Sequence, residues 1–402
     1  MAQLKNEANV MIVAAEASSC LYAQRLLEYW RRVEQQHRGP GGVRVRAFGV
    51  GSREMEQLGF EVIGRSEEMA VVGFVEVFKH FGKIREVFHR LVTEAAKRRP
   101  NVILLLDYPG FNLRLAKKLK NLGKKIGADF KIIYYISPQV WAWRTNRVQH
   151  IQKYVDQMLV ILPFEKPFYE SRGVNVEFVG HPLLDEISPE LFDASERERW
   201  RNRYGLSAAD QVVGLMPGSR PSELGHHLTV QLQTAQLLHR ENPRLKFALL
   251  LAPTISFEQV KAMIPNQDLP LIFMKDDPLR MTRIVDVVLC ASGTATLVVG
   301  LMERPMVIMY RMNAVTAWMA KRFVKGTPFF GLINLILGKG AVTELFQEQA
   351  NPERLKDELS RLLYDGAHYR QVEAELVRAR GLLGEKGATD KVAEILQRYL
   401  HN

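Results

Sequence analysis

Lys131-Ile132-Ile133-Tyr134-Tyr135-Ile136 runs directly into Ser137-Pro138-Gln139-Val140-Trp141-Ala142-Trp143-Arg144. After its lysine the first stretch is wholly β-branched or aromatic, the composition of a buried strand. Pro138 pushes Ser137 out of the helical region, so the strand ends there in a loop. Two indoles and a guanidinium then sit within one four-residue span, 141–144, where a buried strand has just ended. In an open α/β sheet the crevice beyond the strand carboxyl ends is where ligands bind. The plainer reading, two tryptophans packing a domain edge, stays open on these residues alone.

Working outward, apolar strand-sized runs alternate with amphipathic stretches of helix length, which predicts parallel sheets covered by helices. In the first half strands are expected at Val10–Ala15, Val43–Val50, Val102–Leu106, Lys131–Ile136 and Gln157–Ile161, with another near Val176–Val179. The second half restarts the pattern at Val212–Met216, Leu245–Leu251, Leu271–Met274, Val285–Cys290 and Met306–Met309. Between them, Leu183–Leu206 is rich in Asp, Glu, Ser and Arg and reads as the linker. The expected domains are therefore 1–184, 185–366 and a terminal segment 367–402, with the last fifty residues forming two charged helices that could pack back on the first domain. The class is α/β with two Rossmann-like domains, and pattern alone leaves several two-domain enzymes open.

With 402 residues, 47% hydrophobic and 25% charged, the chain can bury a sizeable core in each domain. Its longest apolar runs are far below the ~20 residues of a membrane span. Met1–Asn9 is polar and lacks a basic region before the first strand, unlike a signal peptide. Cys20 and Cys290 lie far apart without metal-ligand spacing, which fits a reduced cytoplasmic protein. The net charge of +11 calls for an acidic partner: nucleic acid, anionic lipid or a phosphorylated substrate. No nucleic-acid-binding motif favours the first, and a solvated basic surface is the bland alternative.

Three strand ends carry candidate chemistry. Leu215-Met216-Pro217-Gly218-Ser219-Arg220 leads into a helix: Gly218 lets backbone approach a ligand, the helix start offers free N–H groups, and Arg220 suits phosphate oxygens. Ala291-Ser292-Gly293-Thr294-Ala295-Thr296 follows the same logic and could hold a diphosphate without a Walker lysine. Leu104-Leu105-Leu106-Asp107 puts an acid at the end of an apolar strand, where a carboxylate is costly unless paired or functional. Plain βα turns and caps compete with each reading. His181, alone after Gly180, is more often structural than catalytic. In Met69–Leu91, Val72, Phe74, Phe78 and Phe81 are interleaved with Lys79, Lys83, Arg85 and Arg90; Tyr310–Lys325 mixes Trp318 and Phe323 with Lys321 and Arg322. Such mixtures suit a segment lying on anionic lipid, or an ordinary helix facing a core.

The ordered set of these stretches resembles the lipid-A-disaccharide synthase family, inverting glycosyltransferases of the GT-B fold, in which two Rossmann-like domains face each other across a cleft. Tyr134–Arg147 carries its signature, with Trp141, Trp143 and Arg144 as implied binding residues. Asp107-Tyr108-Pro109-Gly110-Phe111-Asn112 matches Asp-x-Pro-x-Phe-Asn, which implies Asp107 as the base for the acceptor hydroxyl and Asn112 as a positioning residue. Pro217–Arg220 and Ser292–Thr296 match the nucleotide-sugar half, implying a catalytic Arg220 with Gly218, Ser219, Ser292, Gly293, Thr294 and Thr296 around the diphosphate. Glu16 and Ser18 match Gly-Glu-x-Ser-Gly-Asp, Phe178–Leu183 places His181, and Asn334, Glu344 and Gln347 fall on groups near the nucleotide. Leu162–Tyr169 also matches. Four positions depart: Ser19 for Gly, Cys20 for Asp, Val298 for Glu and Ile333 for Pro.

What the resemblance implies is transfer of 2,3-diacylglucosamine from UDP to the C6 hydroxyl of 2,3-diacylglucosamine 1-phosphate, giving the β-1,6 disaccharide 1-phosphate of lipid A and UDP. No cofactor or metal is expected, because UDP-sugar is itself a substrate. The implied partners are UDP-diacylglucosamine, the phosphorylated glycolipid acceptor and an anionic membrane surface, with a homodimer open. The expected place is peripheral, on the cytoplasmic face of the inner membrane. A relative that keeps fold and lipid surface but has lost turnover, or takes another acceptor, is the competing reading, motivated by the four departures.

Overall fold

The computed structural model describes residues 7–36, 44–69, 74–142, 145–264, 269–291, 293–313 and 329–400, with the side chains of 74–81 and 222 outside the description. Val72, Trp143, Arg144 and Ser292 lie outside it, as do most of Tyr310–Lys325 and the side chains of Phe74, Phe78 and Phe81. The chain divides into two compact units, Met1–Asp185 with Gly384–Asn402, and Glu186–Leu383.

The first unit is built on β1 (Glu7–Ala14), β2 (Arg44–Gly51), β3 (Glu61–Arg65), β4 (Val102–Leu106), β5 (Lys131–Tyr135), β6 (Gln157–Val160) and β7 (Val176–Phe178). All pairings are parallel, in the order β3-β2-β1-β4-β5-β6-β7. Every residue of β4 is at 0% exposure, because both faces of a central parallel strand are covered. Burying each such side chain contributes about 1.5–3 kcal/mol. The second unit repeats the plan with β8 (Val212–Met216), β9 (Lys246–Leu250), β10 (Leu271–Met274), β11 (Val287–Ala291), β12 (Met306–Tyr310) and β13 (Thr343–Phe346), ordered β10-β9-β8-β11-β12-β13. Sequence order therefore reverses between β1 and β4 in one sheet and between β8 and β11 in the other. The register pairs Ala14 with Leu106 and Met216 with Cys290, so the loops on either side of each reversal emerge side by side.

β3 and β13 were not expected from sequence. Both are edge strands, and Glu61-Val62-Ile63-Gly64-Arg65 and Thr343-Glu344-Leu345-Phe346 have too little apolar run to stand out. The expected linker is largely helical, with short turns at Pro182–Glu186 and Pro189–Phe192 and a helix at Ala194–Arg203. Its charge is tied inward: Arg197 and Arg201 both pair with Asp286 beneath β11. The last fifty residues form three helices, Pro352–Tyr364, Gly366–Leu382 and Ala388–Leu400. Only the last belongs to the first unit, where it packs on the helix Ala17–Gln36, so that unit regains the chain at Gly384 rather than at 367. Asp185 fastens this return, its carboxylate accepting from the Gly387 N–H at 2.7 Å and from Thr389.

The helix Phe74–Arg98 enters the core along Val87, Leu91 and Ala95, flanked by Ile84, Phe88 and Val92. That spacing of three and four is the stripe of a helix lying on a sheet. The stretch read as lipid-facing thus has a core-facing second half.

Candidate active site

In the first unit the reversal between β1 and β4 brings Glu16 and Asp107 together. Asp107 follows four leucine-isoleucine positions of β4 and is half-buried, and burial with the nearby Glu16 charge raises its carboxyl to about 6. Asp107 and Tyr108 both take left-handed backbone, with φ of 44° and 46°, and Ile136 at the end of neighbouring β5 has φ 65°. Non-glycine residues there are strained by about 1–3 kcal/mol each and persist only when surroundings hold them. The holding groups are visible. The Asn112 amide donates to the carbonyls of Leu106 and Asp107 at 3.0 and 2.8 Å, and the buried Tyr134 hydroxyl donates to the Asp107 carbonyl. Tyr108 is anchored through its hydroxyl to the Met69 carbonyl at 3.0 Å. Asn112 is fully buried, so it positions Asp107 through the backbone rather than by reaching a ligand.

Beside this turn, Glu16 is half-buried and Ser18 exposed. Ser19 lies inside the helix, not at positive φ, so nothing there requires glycine. Its hydroxyl accepts from the Glu16 N–H at 3.0 Å and donates to the Glu16 carbonyl at 2.8 Å. Cys20 donates its thiol to the Ala14 carbonyl at 3.3 Å, and burial pushes that thiol up, keeping it protonated. An open pocket of about 730 Å³, solvent at its mouth included, lies beyond β1–β3, lined by Cys20, Gln24, Ser52, Glu54, Ser66 and Glu67.

Trp141 is half-buried after β5, its ring edge-on to Phe164 with centroids 4.9 Å apart. Its Nε1–H donates to Glu165 at 3.2 Å. His181 is 5% exposed and its Nδ1 accepts from the Leu183 N–H at 3.2 Å. Burial lowers its pKa to about 4, so it is neutral at pH 7 and braces the turn rather than offering charge.

In the second unit the reversal between β8 and β11 presents the opposite chemistry. Gly218 has φ 124°, and a Cβ there would meet Glu223 at 2.6 Å. The Glu223 carboxylate accepts from the Ser219 N–H at 2.8 Å, shaping the turn before the helix Pro221–Glu241. Arg220 caps that helix with its side chain exposed. His227 ties the turn to the end of β12, donating from Nδ1 to the Pro217 carbonyl at 3.0 Å and accepting from the Arg311 N–H at 3.1 Å. That pattern requires neutral imidazole, and burial lowers its pKa accordingly. Gln231 adds bonds to the carbonyls of Met216 and Leu289. Neither His227 nor Gln231 was foreseen, since partners 58 to 84 residues away leave no local signal.

Past β11, Gly293 at φ 140° precedes the helix Thr294–Leu301. Thr294 is exposed at its start, whereas Thr296 is fully buried and donates to the Gly293 carbonyl at 2.8 Å. Asn334, Glu344 and Gln347 make bonds within the chain. Asn334 donates to Val342 and Glu344 and accepts from Ala341 and Val342; Glu344 also accepts from the N–H groups of Phe330 and Gly331. Gln347 clasps the Met312 backbone with both amide atoms, at 3.0 and 3.1 Å. These three shape the loops after β12 and β13, with their polar groups engaged internally. Ile333 is fully buried, and a Cβ on Gly300 would lie 2.2 Å from it, so the isoleucine fills space against the Thr294–Leu301 helix. Val298 is half-buried on that helix. Among the described residues no group of three His, Cys, Asp or Glu side chains could hold a metal ion.

Comparison with known proteins identifies family and fold. The family model for Lipid-A-disaccharide synthetase matches residues 10–397. A lipid-A-disaccharide synthase of Trichlorobacter lovleyi is 40% identical over 387 residues, 96% of each chain. One from Geobacter metallireducens is 38% identical over 391 residues, 97% of each. Among solved structures, a glycotransferase of kitacinnamycin superposes with TM-score 0.61 at 15% identity, covering 98% of this chain and 99% of that one. A UDP-GlcNAc 2-epimerase from Neisseria meningitidis gives 0.59 at 10% identity, covering 98% and 99%. At such identities these two establish the fold, a pair of Rossmann-like units of the GT-B class. The full-length match at 36–40% identity settles the lineage: the chain belongs to the lipid-A-disaccharide synthetase family of glycosyltransferases.

Proposed function

We propose that the protein transfers 2,3-diacylglucosamine from UDP to the C6 hydroxyl of 2,3-diacylglucosamine 1-phosphate, forming the β-1,6 lipid A disaccharide 1-phosphate and UDP. The observation that carries the chemistry is Asp107, a carboxylate held half-buried by a braced, strained turn beside Glu16. A base with pKa about 6 is ionised at neutral pH yet still accepts a proton usefully. In this reading the acceptor O–H gives its proton to Asp107 as the oxygen attacks the anomeric carbon from the face opposite UDP. The bond to the diphosphate breaks, and its electron pair leaves with UDP. Arg220 and the N–H groups at the starts of Pro221–Glu241 and Thr294–Leu301 would meet the charge developing on that diphosphate. No cofactor or metal enters, and nucleic acid is not a partner.

The protein would work peripherally on the cytoplasmic face of the inner membrane, against anionic lipid. Among the described residues no helix is long and apolar enough to cross a membrane. Support for the departures being harmless comes from Ser19 and Ile333, each accommodated by local packing. The test is purified protein with UDP-diacylglucosamine and the 1-phosphate acceptor, following UDP and disaccharide together. Equal amounts of both are expected; UDP release without disaccharide, or neither product, would overturn the assignment.

A further inference from the structure

Glu165 is 1% exposed and opens the short helix Glu165–Glu170 that follows β6, with no part in the reaction as described so far. Buried carboxylates are kept only with specific partners. Here one oxygen accepts from the Leu162 N–H at 3.1 Å and the other from the Trp141 indole N–H at 3.2 Å. Four residues along the same short helix, Tyr169 bonds the Ser137 hydroxyl at 2.7 Å. Both ends of the segment 137–141 are thus fastened to the helix after β6, just after β5 leaves through the strained Ile136. The tether crosses from one strand end to the next, and it holds the indole that follows β5, the strand flanking Asp107's own.

We propose that Glu165 is a positioning residue of the transfer reaction: its carboxylate fixes the Trp141 indole as a flat apolar surface on which the sugar of the glycolipid acceptor rests beside Asp107. The inference rests on the transferase reading and deepens it. An indole face packs well on the C–H face of a pyranose, and the N–H edge is free to be held from behind. An acceptor buried with the indole makes that edge directional, because a misplaced ring would leave the carboxylate without its donor. Burial raises the Glu165 carboxyl to about 7. The groups facing it are Ser137 and Trp141 from the β5 loop, Leu162 from the β6 end and the Tyr169 phenol from its own helix.

The test is a double-mutant cycle in the full chain with Glu165→Leu, Trp141→Phe and both together, reading kcat and KM separately alongside tryptophan emission. Phenylalanine keeps a ring but has no N–H, so it removes the tether from the other side. Glu165→Leu is expected to lower kcat/KM about ten-fold, mainly through a higher KM for the acceptor. In the Trp141→Phe background the same change should cost less than about two-fold, since partners in contact are non-additive. The emission change caused by Glu165→Leu should likewise vanish in that background. Equal losses in both backgrounds, or full activity in a folded Glu165→Leu protein, overturn the proposal. If the leucine variant does not fold, Glu165→Gln runs the same cycle: its oxygen can still accept from the indole while its amide opposes the Leu162 N–H, so a smaller, still background-dependent loss is expected. A wild-type protein that forms no disaccharide would sink the transferase reading, while the emission cycle would still decide whether Glu165 holds Trp141.

Discussion

Where strand order reverses in the first unit, the groups emerging from β1 and β4 are carboxylates, Glu16 and Asp107. At the same place in the second unit, β8 and β11 present Arg220, the Ser219 and Thr294 region and two helix starts. One topology thus presents carboxylates in one copy and a guanidinium with free helix-start N–H groups in the other, the pairing that the proposed transfer reaction would use as proton acceptor and anion site. The means of shaping the two turns also differ. The second unit reaches its left-handed backbone with glycine, at Gly218 and Gly293. The first forces Asp107 and Tyr108 into that region and braces them with Asn112 and Tyr134. In the proposed reaction that position must carry a carboxylate, which glycine lacks, so strain is the cost of placing it.

The largest expected effect tests the proton acceptor. Asp107→Asn should lower turnover by ~10²–10⁴-fold while leaving UDP affinity nearly intact; a rate within a few-fold of wild type, with UDP titration unchanged, removes Asp107 from the role. For the wild type, kcat/KM should rise with pH through about 6 as the carboxylate forms. Stability should run the other way. The native carboxyl holds its proton to about 6 against an ordinary 3.8, so between those values the native state binds more protons than the unfolded chain. Stability is therefore lost as pH rises through this window, by an amount on the order of 3 kcal/mol. Asp107→Asn should flatten that slope in melts recorded from pH 4 to 7.

The anion side comes next. Arg220→Ala should lower kcat by roughly 10²-fold and, unlike Asp107→Asn, weaken UDP binding as well. Lysine should restore charge but only part of the rate, lacking the planar fork. Calorimetric UDP titration beside steady-state kinetics separates the two residues, and identical signatures for both would dissolve the contrast between the units.

Smaller effects probe the turns. Gly218→Ala puts a Cβ 2.6 Å from Glu223 at φ 124° and should cost about 1–3 kcal/mol in the denaturation of the second unit. Ser19→Gly, which restores the family residue, should destabilise by about 1–2 kcal/mol, losing two hydrogen bonds to Glu16 and placing glycine in a helix. A stabilised Ser19→Gly protein would mean that the serine is a defect rather than an accommodation.

How much of this was legible in the sequence depended on whether the signal was local. Interior strands such as Val102–Leu106 and Val212–Met216 announce themselves because both faces are buried and every position is apolar. The half-covered edges at Glu61–Arg65 and Thr343–Phe346 do not. Asp107 was legible as an acid on an apolar strand end, and Arg220 as a guanidinium after a glycine turn. Roles that consist of long-range bonding were not: nothing local at Asn334, Glu344 and Gln347 shows that their polar atoms close loops of their own unit. Leu183–Leu206 read as linker because ion pairs to Asp286 look, in sequence, like solvated charge. The sign of φ at Asp107 and Tyr108 has no signature without glycine.

The return of the chain to the first unit at Gly384 bears on how the protein is made. A ribosome releases Met1–Asp185 early, but the partner of the Ala17–Gln36 helix and the donors awaited by Asp185 come only after Glu186–Leu383 has been synthesised. At typical rates of about 5–20 residues per second, that interval is roughly 10–40 s. The second unit is contiguous and can close as soon as it emerges, whereas the first must wait with one helix face uncovered. Folding on the ribosome should therefore finish at the front of the chain last, and a nascent chain stalled before residue 384 would present that face to chaperones.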